Sequence, residues 1–191
     1  MPERLSRHLI EPSAPLPARW PRLTDRELAW CLRSQQAIRH RSIVALFAGV
    51  SRLGDGVFWY GLMAALLLAQ GAAAAPAVAR MLLAGAVGLA VYKGLKARTT
   101  RSRPCARSRL IQPRAAPLDE YSFPSGHTLH AVSFTLVAAY HYPSLLWPLL
   151  PFAVLVALSR IVLGLHYPSD VMAGALLGAA VAFLALQGPF I

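Results

Sequence analysis

Acidic side chains are scarce in this 191-residue chain: eight Asp or Glu stand against 19 Lys or Arg, a formal net charge of +11. Cysteine is scarcer still. The two present, Cys31 and Cys105, cannot build a disulfide framework, and both are expected as free thiols. Charge of either sign is the third shortage, at 14% of residues against 56% hydrophobic. Soluble domains carry about a quarter charged residues, so this balance excludes an ordinary soluble domain as well as disorder or a collagen-like fibre. No alternation of period two and no long internal repeat is present, which leaves helices.

What charge there is has an uneven placement. Residues 1–41 carry eight Arg and four acids, and residues 93–114 carry eight Lys or Arg and no acid. The 70 residues 122–191 then hold only Arg160 and Asp170. A stretch so long and so apolar reads as membrane, and an ionisable group kept inside it is a functional candidate by default. The first forty residues are polar and proline-rich with no apolar run, so no secretory signal is expected there. Residues 24–36 suit a helix with Thr24 as N-cap and Glu27 closing a capping box, lying at the membrane interface.

Apolar runs separated by turn residues follow at 57–70, 77–92, 128–140, 145–158 and 171–187, with a weaker run at 43–50. Each is short against the ~20 residues of a full span, and polar flanks can extend it. The expected fold is therefore an all-α integral membrane bundle of five to six transmembrane helices, in a domain spanning 42–191 behind a basic segment, 1–41. Gly85, Gly88 and the pair Gly174-x3-Gly178 are expected at helix contacts, because small residues let backbones approach in lipid.

Three polar clusters interrupt the apolar pattern. Lys96-x6-Arg103-Pro104 follows one span, Pro124-Ser125-Gly126-His127 precedes another, and Ser159-Arg160-x5-His166-x3-Asp170 lies between the last two. Counting spans puts all three at one membrane face. Lys96, Arg103 and Arg160 supply cations, and guanidinium forks match phosphate oxygens. Ser125 and Gly126 open a helix whose free N–H groups favour an anion. His166 and Asp170 are four apart, so the carboxylate can hold one imidazole nitrogen and leave the other to attack. His127 is then available as acid for the leaving oxygen. No metal ligands are left over, and neither metal nor cofactor is called for.

These clusters resemble, residue for residue, the K-x6-R-P, P-S-G-H and S-R-x5-H-x3-D signature of the type 2 phosphatidic acid phosphatase superfamily. That superfamily also includes vanadium haloperoxidases and glucose-6-phosphatase. The resemblance implies a six-helix bundle and a phosphohistidine mechanism. His166 would be the nucleophile oriented by Asp170, and His127 the proton donor that later activates water. Lys96, Arg103, Ser125, Gly126 and Arg160 would hold the phosphoryl oxygens.

The expected activity is metal-independent hydrolysis of a lipid phosphate, leaning towards a polyprenyl diphosphate such as undecaprenyl diphosphate. Phosphatidic acid, phosphatidylglycerophosphate or lipid A are alternative substrates, and phosphotransfer to another lipid is an alternative reaction. Partners are the substrate and membrane lipids, not nucleic acid. The arginines at 98, 101, 107, 109 and 114 read as contacts to lipid headgroups, with selection of a polyanionic or diphosphate headgroup as the alternative. His130 reads as a packing residue, and Asp55 as at most a local partner of Arg52. The two basic segments, taken literally, would place the site in the cytoplasm. The resemblance implies a multi-pass protein of a bacterial inner membrane with its site facing the periplasm.

Overall fold

A computed structural model describes residues 21–38, 40–117 and 119–187. These form eight α-helices: α1 (Pro21–Ala37), α2 (Arg41–Leu53), α3 (Val57–Gln70), α4 (Ala75–Thr99), α5 (Pro104–Arg107), α6 (Gly126–His141), α7 (Leu146–Val162) and α8 (Pro168–Gln187). No strand occurs among the described residues; one isolated bridge joins Ser102 to Tyr121. The expected all-α class is met. Of the polar N-terminal segment, 1–20 lies outside the described residues.

Three helical stretches are long and apolar enough to cross a membrane: 57–99, 143–162 and 168–187. The first is α3 and α4 joined through a short turn in which Gly71 has φ +60°. The weak run at 43–50 is a real helix, α2, of 13 residues. At 1.5 Å per residue it measures only about 20 Å against a hydrocarbon core of about 30 Å.

Proline and glycine set the helix limits. Pro168 sits in the first turn of α8 and Pro104 in that of α5, where a missing N–H costs nothing. The helix containing 77–92 runs further than its apolar residues do, to Thr99, and ends at Thr100 in the left-handed conformation. Lys96 therefore stands within α4 rather than after it.

The outer wall of the bundle is apolar. Leu68, Trp147, Leu176, Phe183 and Leu184 are all more than 60% exposed, a surface suited to lipid and costly in water. The interior gathers Trp59, Met63, Met81, Phe134, Val137, Leu149, Val156 and Val181. At its centre stands α6, packed on α4, α7 and α8. Glycine makes the tightest of these contacts. A Cβ on Gly174 would stand 2.5 Å from the Ser125 carbonyl oxygen, one on Gly178 closer still to that of Leu129, and one on Gly88 2.6 Å from Leu129 Cδ2. The small residues thus do the packing work expected of them.

A smaller apolar cluster, with Cys31, Ile111 and Tyr167 fully buried, fastens α1 across one end of the bundle. Gln35 Nε2 donates to the Gln112 carbonyl at 2.9 Å, and Arg114 donates to the carbonyls of Ile38 (2.6 Å) and Gln35 (3.0 Å). The helix expected at 24–36 is present, docked on the loops between the bundle helices, but it begins at Pro21, so Thr24 lies inside it rather than capping it, and Glu27 turns to Arg101 and Ser169 instead of closing a capping box.

Candidate active site

At that end lies a cavity of about 450 Å³. Its polar floor is made by Lys96, Arg103, His127, Arg160 and His166, and Gly126 lines it as well. Trp59, Tyr60 and Met63 of α3 with Leu82, Leu89 and Tyr92 of α4 give it an apolar wall. The three clusters, separate in sequence, thus meet at one place. Ser125 and Asp170 are completely buried just behind the floor.

Each cluster reaches the floor through a helix end. Ser125 caps α6 in an extended conformation, its N–H donating to the Asp170 carbonyl at 3.0 Å and its hydroxyl paired with that of Thr128 at 3.0 Å. Gly126 and His127 then fall in the first turn of α6. Arg160 lies in the last turn of α7, 3% exposed, and one of its guanidinium nitrogens donates to the Ser51 hydroxyl of α2. The chain turns at Gly164, whose φ is +73° and whose Cβ would collide with Gln35 and Ile111 at 2.7 Å. That turn delivers His166 to the floor. Both backbone N–H groups at 165 and 166 donate to the Arg160 carbonyl.

His166 is 1% exposed, with Nε2 3.2 Å from Arg103 Nη1 and Nδ1 3.7 Å from Asp170 Oδ2. The second distance is too long for a hydrogen bond, and Nδ1 has no hydrogen-bond partner among the described residues. Burial, then the charges of Arg160, Arg103 and Lys96, hold the His166 imidazole well below its ordinary pKa of 6.5 and so keep it neutral. Asp170 is fixed from two other directions. Its Oδ2 accepts from the Tyr167 N–H at 2.8 Å, and its Oδ1 from Arg101 Nη1 at 2.5 Å.

Arg101 was expected at lipid headgroups and is instead part of the site. It stacks 4.2 Å from the Tyr167 ring centroid, and its Nη2 donates to Glu27 Oε2 at 2.6 Å. Glu27 Oε1 in turn accepts from the Ser169 N–H at 2.7 Å. Among the other arginines of that run, Arg107 pairs with Asp25 at 3.2 Å and Arg114 binds the carbonyls of Gln35 in α1 and of Ile38 just after it.

Two further carboxylates face the cavity that sequence reasoning did not single out. Asp55, in the turn between α2 and α3, pairs with His127 Nε2 rather than with Arg52 alone. Burial works to raise its pKa, but the bond from His127 and the charges of Arg160 and Arg52 outweigh it and hold the carboxyl below its ordinary value. A signal was available: Asp55 is the sole acid between Glu27 and Asp119 and is flanked by two glycines. Asp119 places both oxygens 2.6 Å from Lys96 Nζ and Oδ1 2.5 Å from Arg103 Nη2. Here too burial raises the pKa and is outweighed, by Lys96 and Arg103.

Two other histidines have partners of their own. His130 bridges helices, with Nδ1 2.9 Å from the Gly126 carbonyl and Nε2 3.3 Å from that of Gly85, as a packing residue should. His141 meets Arg80 at the end of α6 remote from the cavity. Both cysteines are free thiols. Among the described residues no group of three or more His, Cys, Asp or Glu is arranged to hold a metal ion.

A helical membrane protein with an apolar outer wall and a cavity floored by cations and histidines at one end is the class that fold and site define. More particularly, the chain belongs to the PAP2 superfamily, whose family model matches residues 77–190. It is 42% identical over 79 residues to an undecaprenyl-diphosphatase of Sulfolobus acidocaldarius, covering 41% of this chain and 37% of that protein. It is 37% identical over 92 residues to phosphatidylglycerophosphatase B of Bacillus subtilis, covering 39% and 43%. The chain therefore spans less than half the length of these curated relatives. In three dimensions it resembles the transmembrane PAP2-type phosphatidylglycerolphosphate phosphatase of Bacillus subtilis, with a TM-score of 0.68 and 25% identity over 87% of this chain and 85% of that one.

Proposed function

We propose that the chain is a membrane lipid phosphatase working through a phosphohistidine. The observation that carries this reading is one cavity combining three buried cations and two histidines on its floor with an apolar wall from α3 and α4. A phosphate fits the floor, and a lipid tail fits the wall.

His166 Nε2 attacks phosphorus, aided by Asp170 holding the proton on Nδ1 as the 3.7 Å gap closes. The bond from phosphorus to the lipid oxygen breaks, and His127 gives that oxygen its proton. Lys96, Arg103 and Arg160, with Ser125 and Gly126 at the start of α6, hold the three phosphoryl oxygens as charge spreads over them. Water then attacks phosphorus with His127 taking its proton, the P–N bond breaks, and free phosphate leaves with His166 restored.

Relatives named for undecaprenyl diphosphate and for phosphatidylglycerophosphate support a lipid substrate, and a polyprenyl diphosphate is preferred here. We further read five bundle helices (α3, α4, α6, α7 and α8) as crossing a bacterial inner membrane, with the cavity on the periplasmic side; α2, short and with both ends at the cavity face, does not cross. On this division 42–191 is the phosphatase and 1–41 contributes α1 as an interfacial collar.

The test is phosphate release by the purified protein in detergent with EDTA, beside His166→Ala. The panel holds undecaprenyl diphosphate, phosphatidic acid, phosphatidylglycerophosphate and a soluble phosphomonoester. Release that depends on His166 and favours a lipid is expected. Release surviving in His166→Ala, or abolished reversibly by the chelator, refutes the mechanism.

A further inference from the structure

The phosphate cradle already holds an anion. Asp119, on the segment between α5 and α6, spans Lys96 and Arg103 with both carboxylate oxygens at 2.5–2.6 Å, and its own carbonyl accepts from Arg103 Nε at 2.9 Å. Lys96 and Arg103 are 7% and 3% exposed, whereas the Asp119 side chain is 36% exposed and lines the cavity. The cations are also anchored without it. Lys96 keeps the Tyr121 carbonyl at 3.1 Å, and Arg103 keeps the Leu165 carbonyl at 2.8 Å. Removing the Asp119 carboxylate therefore leaves two charges in place and facing the cavity.

We propose that Asp119 is a specificity residue: a resident competitor that lets a dianionic terminal phosphate into the cradle and turns monoanionic phosphodiesters away. The proposal rests on the reading of Lys96 and Arg103 as phosphate ligands. Its physical basis is charge counting. Replacing a carboxylate by a phosphodiester exchanges one negative charge for another, so the Coulomb energy gained nearly equals that given up. A terminal phosphate with two charges adds a full unit facing Lys96, Arg103 and Arg160, all buried, where screening is weak. A membrane is crowded with phosphodiester headgroups, and a bare cradle of three cations would bind them indiscriminately. The carboxylate sets a threshold that only terminal phosphates pass.

The experiment uses the full chain in detergent and soluble probes, so that it does not depend on turnover. Binding of methyl phosphate and of dimethyl phosphate is measured by calorimetry near pH 8, where the first is dianionic and the second monoanionic. The wild-type chain should bind methyl phosphate and show no binding of dimethyl phosphate at tenfold higher concentration. Asp119→Asn should bind both, with dimethyl phosphate improving by about tenfold or more, equivalent to ~1.4 kcal/mol. Asp119→Glu, which keeps the charge, should restore the discrimination.

Weaker binding of both probes by Asp119→Asn would show that the carboxylate is a buttress of the cradle and overturn the proposal. So would a wild-type chain that binds the two probes equally, a result that needs no variant to fold. Failure of the phosphatase reading would look different: no lipid phosphate would be hydrolysed, while the binding contrast between the two probes persisted.

Discussion

Gly174→Ala and Gly178→Ala make the same chemical change one turn apart on α8, and the structure separates their consequences. A Cβ on Gly174 meets the Ser125 carbonyl oxygen at 2.5 Å and the Cβ atoms of Ser125 and Thr128 at 3.3 Å. Ordinary contact requires the two backbones to part by about 0.5–1 Å. The same Ser125 donates its N–H to the Asp170 carbonyl, so the separation falls on the junction between the start of α6, with Ser125 and His127, and the start of α8, with Asp170. A Cβ on Gly178 strikes the Leu129 carbonyl and Val132, one turn further from the cavity. Each substitution should lower stability by about 1–3 kcal/mol, the usual range for overpacking. Turnover should diverge, because a displacement near 1 Å at reacting groups is worth up to ~100-fold. Gly174→Ala is expected to lose at least tenfold in kcat, and Gly178→Ala no more than about threefold. Thermal unfolding in detergent and steady-state phosphate release measure the two quantities on the same preparations. Equal losses of kcat from both, or wild-type kcat in Gly174→Ala, would refute the claim that this seam sets the site.

Other consequences can be checked alongside. Glu27→Gln weakens two charge-assisted bonds, to Arg101 and to the Ser169 N–H, and should lower stability by about 1–2 kcal/mol with kcat falling several-fold and KM nearly unchanged. Arg101→Gln strands the fully buried Asp170 carboxylate and should cost about 3–5 kcal/mol, while Arg101→Lys recovers part of it. For pH, the folded chain keeps His166 neutral where an unfolded chain protonates it near ~6.5. The unfolded state therefore binds the extra proton first, so stability declines as pH falls below that value, and the acid limb of kcat/KM should lie well below it. An acid limb of kcat/KM at the free-imidazole pKa would contradict this. Cys31, fully buried and with burial pushing its thiol up to about 12, should resist maleimide in the native protein and react once unfolded. Native labelling at Cys31, read by mass spectrometry, would count against the docking of α1.

Much of the site was legible because phosphate chemistry confines residue types. Cations, a helix-opening Ser-Gly and two histidines in fixed order pointed to one membrane face, and all of them but Ser125, buried just behind the floor, line one cavity. The helical class and the places of the bundle helices followed from the apolar runs; their ends, and the short α5, did not. Lys96 stands inside α4 because a helix in progress continues through Ala-Arg-Thr residues until something stops it, and the stop is Thr100. The carboxylates were harder to see. Asp55, Asp119 and Glu27 find partners 72, 16 to 23 and 74 residues away, from loops and from α1, and no local spacing announces such pairings. Arg101 was misread for the same reason: a basic run next to a span looks like headgroup contact until the acid that claims it is known.

The clasp of α1 on the site also has a meaning for assembly. Glu27 and the Ser169 N–H are 142 residues apart in sequence, and Cys31 donates to the carbonyl of His166 itself across 135. α1 thus cannot dock until the turn between α7 and α8 exists, after all the intervening helices have been laid down. Closing so long a loop is entropically slow, and the contact forms late. A chain still being inserted then carries cations, histidines and cavity wall but an unclasped His166, so that the floor of the cavity is fixed only once the turn before α8 is in place.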